Sequence, residues 1–277
     1  VLILFLLYII FKSKEYIFIK DSMIDEHING DNINLPVSEC EYIADEIPWY
    51  KCAISLFTHP RKTISQSLAN ETPYGLAWSS ILSIILGIAY ILTLYINPIE
   101  KEEIYNLLRN SGISEQALQQ QFIISMISSI FMVIIGIFAS ALIVSACFQV
   151  LKLFFKDKVS FKSLFALSVY SIFITYSLNL VDNILKLITQ VNTSVLSISA
   201  FFSQEILKSN FLLQTVCNTI SIPTLYSIVI MVIGYSVLTK KSTLHATIVM
   251  LIYQVIALSY SYGLLVLSHN LSQSIQL

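Results

Sequence analysis

From Ile123 to Leu151 the chain carries no charged residue. An α-helix needs about 20 apolar residues to cross the ~30 Å hydrocarbon core of a bilayer. In hydrocarbon every backbone N–H and C=O must bond within its own segment, so a run of this length spans as a helix. A second apolar run, Leu164–Lys186, follows the connector Leu151–Ser163. That connector sets Lys152, Lys156, Lys158 and Lys162 against a single Asp157. Lysine excess beside a span marks the cytoplasmic side, which fixes the expected orientation of the hairpin.

The other spans follow by counting. Gly75–Ile96 is the first, with Phe122–Val150 and Leu164–Lys186 as the second and third. Ile222–Leu238 is the fourth, and its Pro223 falls in the first turn, where a missing N–H costs nothing. Ala246–Leu267 is the fifth, after a second short basic turn at Lys240 and Lys241. Asn97–Gln121, with Glu100, Glu102, Glu103 and Glu115, is acidic and expected outside. Within it Ser111–Gly112 is predicted to separate two short helices, Ser114 capping Glu115–Gln121. Leu187–Ser221 reads as an exterior connection with one or two surface helices and a dipping segment around Val195–Phe202. His269–Leu277 reads as an uncharged exterior tail. The N-terminal side of the first clear span is thus expected in the cytoplasm and the C-terminus outside the cell membrane.

Four regions are expected. Residues 1–19 read as the end of a transmembrane helix, or an interfacial segment, with its apolar stretch closed by Lys12 and Lys14; an upstream part is expected. Residues 20–52 are an acidic polar linker, 53–269 a five-helix membrane domain and 270–277 the tail. Across Trp49–Ala69, apolar residues recur at near-helical spacing among Lys51, His59, Arg61 and Lys62, with a break at Pro60. That pattern predicts either an amphipathic segment on the membrane face or a short helix packed on the bundle. The fold class is all-α: a polytopic bundle of five spans, plus a short polar N-terminal region and an interfacial helix.

Composition narrows the function classes. The chain is 56% hydrophobic and 12% charged, against about 25% charged in soluble domains. A net charge of −1 gives no footprint for nucleic acid. Cys40, Cys52, Cys147 and Cys217 lack C-x-x-C spacing, and with His27 and His59 they form no regular zinc pattern. Glu102–Glu103 and Arg109 stand two residues too far apart for the paired-glutamate pattern of intramembrane prenyl-protease-like enzymes. No span carries the histidines that such a site requires. Neither G-x-S-x-G, a Walker loop, a dinucleotide fingerprint nor H-E-x-x-H is present. No enzyme, cofactor or metal site is expected.

Polar side chains inside spans are candidate functional groups, because a charge at mid-bilayer costs ~3 kcal/mol or more. Tyr176, Asn179, Asp182, Asn183 and Lys186 recur at helical spacing along one side of the third span, with Tyr170 further along it. Asp182 and Lys186, four apart, are expected to pair. The candidate cytoplasmic contacts are Arg61, Lys62, Lys152, Lys156, Lys158, Lys162, Lys240 and Lys241. Gly136 and Ser140, with Ala139 and Ser145–Ala146, form a small-residue face that lets another helix approach.

Three stretches carry a family resemblance: Leu56–Thr63 (LFTHPRKT) followed by Trp78, Phe154–Leu164 (FFKDKVSFKSL) leading to Tyr170, and Gly234–Ala246 (GYSVLTKKSTLHA). In this order, between five spans, they resemble the bacterial Yip1-domain proteins from about Ala53 to His269. The resemblance implies a five-helix membrane domain with a cytoplasmic N-terminus. It also implies an adaptor role, since eukaryotic relatives act in vesicle traffic with Rab-type GTPases and with each other. The Asp-Leu-Tyr-Gly-Pro-like element of those relatives is absent here. The expected function is therefore a non-enzymatic membrane organiser or adaptor. Its partners would be membrane lipids, other membrane proteins or further copies of itself. The alternative is a transporter or permease component using the polar face of the third span.

Overall fold

The computed structural model describes residues 49–68, 75–191, 194–202, 206–207 and 210–275. The stretches read above as residues 1–19 and most of 20–52 lie outside these. The described residues form helices α1 (Trp49–Thr58), α2 (Pro60–Leu68), α3 (Gly75–Ile96), α4 (Pro98–Asn110) and α5 (Glu115–Phe155). There follow α6 (Phe161–Thr189), a 3-10 turn (Ile198–Phe201), α7 (Phe211–Thr219), α8 (Ile222–Thr239) and α9 (Thr243–Ile275). Five of them (α3, α5, α6, α8 and α9) are long and apolar enough to cross a membrane. The protein is an all-α, multi-pass membrane bundle.

Several boundaries differ from the sequence reading. The connector Leu151–Ser163 shrinks to five residues, 156–160, because helix extends through Lys152 on one side and begins at Phe161 on the other. Glu115–Gln121 is no separate helix; it is the start of α5, whose 41 residues run unbroken to Phe155. At 1.5 Å per residue α5 is about 60 Å long, twice the hydrocarbon thickness. The expected break at Ser111–Gly112 is present between α4 and α5, with Gly112 at φ +79°. His269–Ile275 is no tail but the last turns of α9.

α6 is the central helix. It packs against α3, α5, α8 and α2, and half of its most apolar window is buried, against 17–33% for the other spans. Ala166, Leu167, Val169, Tyr170 and Ile174 are fully buried along it. Polar contacts tie the spans where water cannot: Ser145 to Ser168 (3.1 Å), Ser171 to Ser227 (2.5 Å), and the Tyr95 hydroxyl to Ser129 (3.0 Å). Each such bond contributes about 0.6 kcal/mol in a bilayer.

α1 and α2 form a hairpin broken at His59, with Pro60 at the first position of α2. Its apolar residues Cys52, Leu56, Ile64 and Leu68 are buried, as expected of a short helix packed on the bundle. Phe57 packs on Phe173 and Tyr226, and the Tyr226 hydroxyl donates to the Phe57 carbonyl at 2.6 Å. The small-residue face of α5 divides. Ala141 and Ser145 are buried, while Ala139 and Ser140 stay exposed. A Cβ built on Gly136 would meet nothing within 4 Å.

At Gly234 α8 leaves no room for a side chain against α6: a Cβ there would overlap the Leu167 side chain, itself fully buried. Gly234→Val is therefore expected to destabilise the protein by about 1–3 kcal/mol. Adding Leu167→Ala should restore part of the lost thermal midpoint in detergent, which tests the contact itself.

Candidate functional site

Polar side chains gather at both ends of the bundle. At one end, α5 closes with Lys156 in the left-handed region (φ 54°), and the Asp157 N–H returns to the Lys152 carbonyl at 2.9 Å. This tight reversal turns Asp157 inward, and its carboxylate is fully buried. Three donors, from the end of α8, the second basic turn and the start of α9, converge on it. The Tyr235 hydroxyl reaches Oδ2 at 2.7 Å, His245 Nε2 lies 2.9 Å from the same oxygen, and Lys241 Nζ pairs with Oδ1. Lys241 also donates to the Phe155 carbonyl (3.1 Å), and Lys152 Nζ to the Val159 carbonyl (2.7 Å). Phe148 packs on Tyr235 and Phe155 on His245, closing the apolar side.

Burial alone would raise the Asp157 carboxyl. Hydrogen bonds from His245, Lys241 and Tyr235 outweigh it and hold the group below the ordinary carboxylate range. The two basic turns thus belong to one end of the bundle. Lys156, Lys158, Lys162 and Lys240 are exposed there, while Lys152 and Lys241 are engaged. Arg61 and Lys62 are exposed on α2. In the sequence Asp157 stands merely as one acid among lysines. The signal for its role was that isolation, together with Tyr235 and His245 flanking the opposite turn.

At the other end, the chain after α6 folds back over it. Asp182 is 6% exposed, and its Oδ1 accepts the Leu196 N–H at 2.8 Å. Ile222 N–H donates to the Leu196 carbonyl and Ile198 N–H to the Ile220 carbonyl, forming a short antiparallel bridge at Ser197 and Ser221. The Asn183 amide reaches Thr93 Oγ1 (3.3 Å) and the Tyr90 carbonyl (3.5 Å) on α3. These contacts border an open cavity of about 230 Å3, lined in part by Tyr90, Asn179, Asp182, Asn183, Lys186 and Ser197.

The expected Asp182–Lys186 pair does not form. Lys186 pairs instead with Glu100 of α4 at 3.4 Å, because Asp182 turns toward the backbone of the returning segment. Asn179, Asp182, Asn183 and Lys186 do come together, and Tyr90 joins them from another helix. Tyr170 and Tyr176 stand apart: Tyr170 stacks on Trp78 at 5.6 Å, and Tyr176 packs on Tyr90 at 6.0 Å. Of the residues considered for zinc, Cys52 is buried in the core and His59 is exposed; Cys40 and His27 lie outside the described residues.

A family model for the Yip1 domain matches residues 54–265. No curated protein and no solved structure matches the chain.

Removing one member of a buried ion pair costs about 3–5 kcal/mol. The Lys241 side chain is 39% exposed, so water recovers part of its charge and Asp157→Ala is expected to cost about 2–3 kcal/mol. The depressed folded value means that Asp157 stabilises the protein above about pH 4 and loses that contribution as pH falls through the lower folded value. Thermal midpoints across an acid series should show this loss in the native protein and a flatter profile in Asp157→Asn.

Proposed function

Because the chain belongs to the Yip1 domain family, we propose that it is a non-enzymatic organiser or adaptor of the membrane it crosses, with its basic turns in the cytoplasm. One observation carries this reading. The Asp157 clamp fixes two turns side by side and still leaves Lys156, Lys158, Lys162 and Lys240 exposed. A rigid group of lysines at the membrane surface attracts anionic headgroups by about 1 kcal/mol per residue. The same surface suits acidic segments of partner proteins. The orientation rests on the lysine excess of this end against the glutamates of α4.

Single cysteines at Lys158 and Glu102, probed in intact cells with an impermeant thiol reagent, test the orientation. Labelling is expected at 102 and not at 158; the reverse would invert it. Replacing Lys156, Lys158, Lys162 and Lys240 together by Gln is expected to strip co-purifying anionic lipid without lowering the thermal midpoint. Retention of that lipid would remove the support for a cationic platform.

The second reading, a transporter component, is favoured by the polar cavity over Asp182. Under it Asn179→Ala should abolish a transport or resistance phenotype with insertion intact. Under the adaptor reading the same change should be nearly silent.

A further inference from the structure

The polar cavity is built around an unfinished set of acceptors. Asp182 is buried in a helix that spans the membrane, yet the hydrogen bond from Leu196 N–H engages only Oδ1. Among the described residues its Oδ2 accepts no hydrogen bond, and the half-buried Asn179 and Tyr90 line the same space with their side-chain polar groups unengaged there. The cavity is open on one side, so these groups meet water, yet a carboxylate in the last turns of a span favours a cationic partner over an empty polar cleft. The charge count adds to this. Lys186 is already paired with Glu100, so Asp182 leaves the site with one uncompensated negative charge.

We propose that this cavity binds a small primary amine through its ammonium group. An alkylammonium presents three N–H donors and one positive charge. Asp182 Oδ2, Asn179 Oδ1 and the Tyr90 hydroxyl oxygen supply three acceptors and the opposite charge. The cavity's 230 Å3 is below the ~300–1,000 Å3 of clefts for drug-sized ligands, and its open side lets a small molecule or the headgroup of a larger one enter. Ser197, bonded to the Cys217 carbonyl and to Ser199, gives the wall a fixed polar surface beside the charge. Among the described residues no three of His, Cys, Asp and Glu gather here or elsewhere, and a single carboxylate is a poor ligand set for a divalent cation. An anion would meet Asp182 with Lys186 already engaged. The proposal is independent of the adaptor reading and stands whether the amine is free or carried by a phospholipid.

The test uses the full chain in maltoside detergent, stripped of aminophospholipid. Ethanolamine, choline, sodium chloride and glycerol are compared by thermal shift and calorimetric titration. The same protein is then placed in nanodiscs of phosphatidylethanolamine or phosphatidylcholine. Stabilisation by ethanolamine, with choline at least tenfold weaker, supports a free amine. Stabilisation only by the phosphatidylethanolamine discs supports a headgroup. Asp182→Asn keeps an acceptor for the Leu196 N–H and removes the charge, and it should weaken binding at least tenfold. Tyr90→Phe, which leaves the Asp182 contact intact, should weaken it severalfold and carries the test if Asp182→Asn fails to fold. Equal response to choline, response to sodium alone, or no response to any amine in either medium would overturn the proposal.

Discussion

One buried carboxylate joins the two halves of this bundle. Asp157 sits in the turn between α5 and α6, and its donors come from the end of α8, the following turn and the start of α9. A charge removed from water is tolerated only when several donors replace the lost hydration. Here three do, each from a residue distant in sequence. The geometry of one turn therefore dictates that of the other, and four helix ends meet at one place. The exposed lysines around them inherit fixed positions, although none makes the clamp itself.

α6 carries the connection to the opposite end. Its middle is packed on several sides by helices, and its last turns hold Asp182, Asn183 and Lys186 against α3, α4 and the returning chain. Sequence spacing alone joins Asp182 to Lys186, and the structure separates them. Both charges find partners that arrive from elsewhere, and the space between those partners is the cavity. A self-contained ion pair would have closed this end of the helix. The open arrangement leaves a single carboxylate oxygen facing a polar chamber.

Much of the fold was legible because the bilayer limits the choices. The apolar runs fixed five spans, and Gly75–Ile96 begins and ends where its flanking prolines and polar residues place it. Lys152–Lys162 and Lys240–Lys241 were correctly assigned to one end by charge. Helix lengths were less legible. Glu115–Gln121 and His269–Ile275 are polar, which suggests the end of a span, whereas a helix continues past the membrane wherever its backbone ladder continues. The candidate polar face was also too broad. Helical periodicity put Tyr170 and Tyr176 with Asp182, yet Trp78 and Tyr90 draw those two rings into separate aromatic contacts.

By itself the sequence determined the class of structure, the number of spans and which turns share an end. These follow from local hydrophobicity and charge, quantities that each segment carries alone. Only the tertiary structure decided that Asp157 is a clamp, that Asp182 and Lys186 part, and that Tyr90 completes a polar chamber. Those outcomes depend on donors and acceptors brought together from distant segments, and no local pattern encodes which of several available partners a buried charge will take.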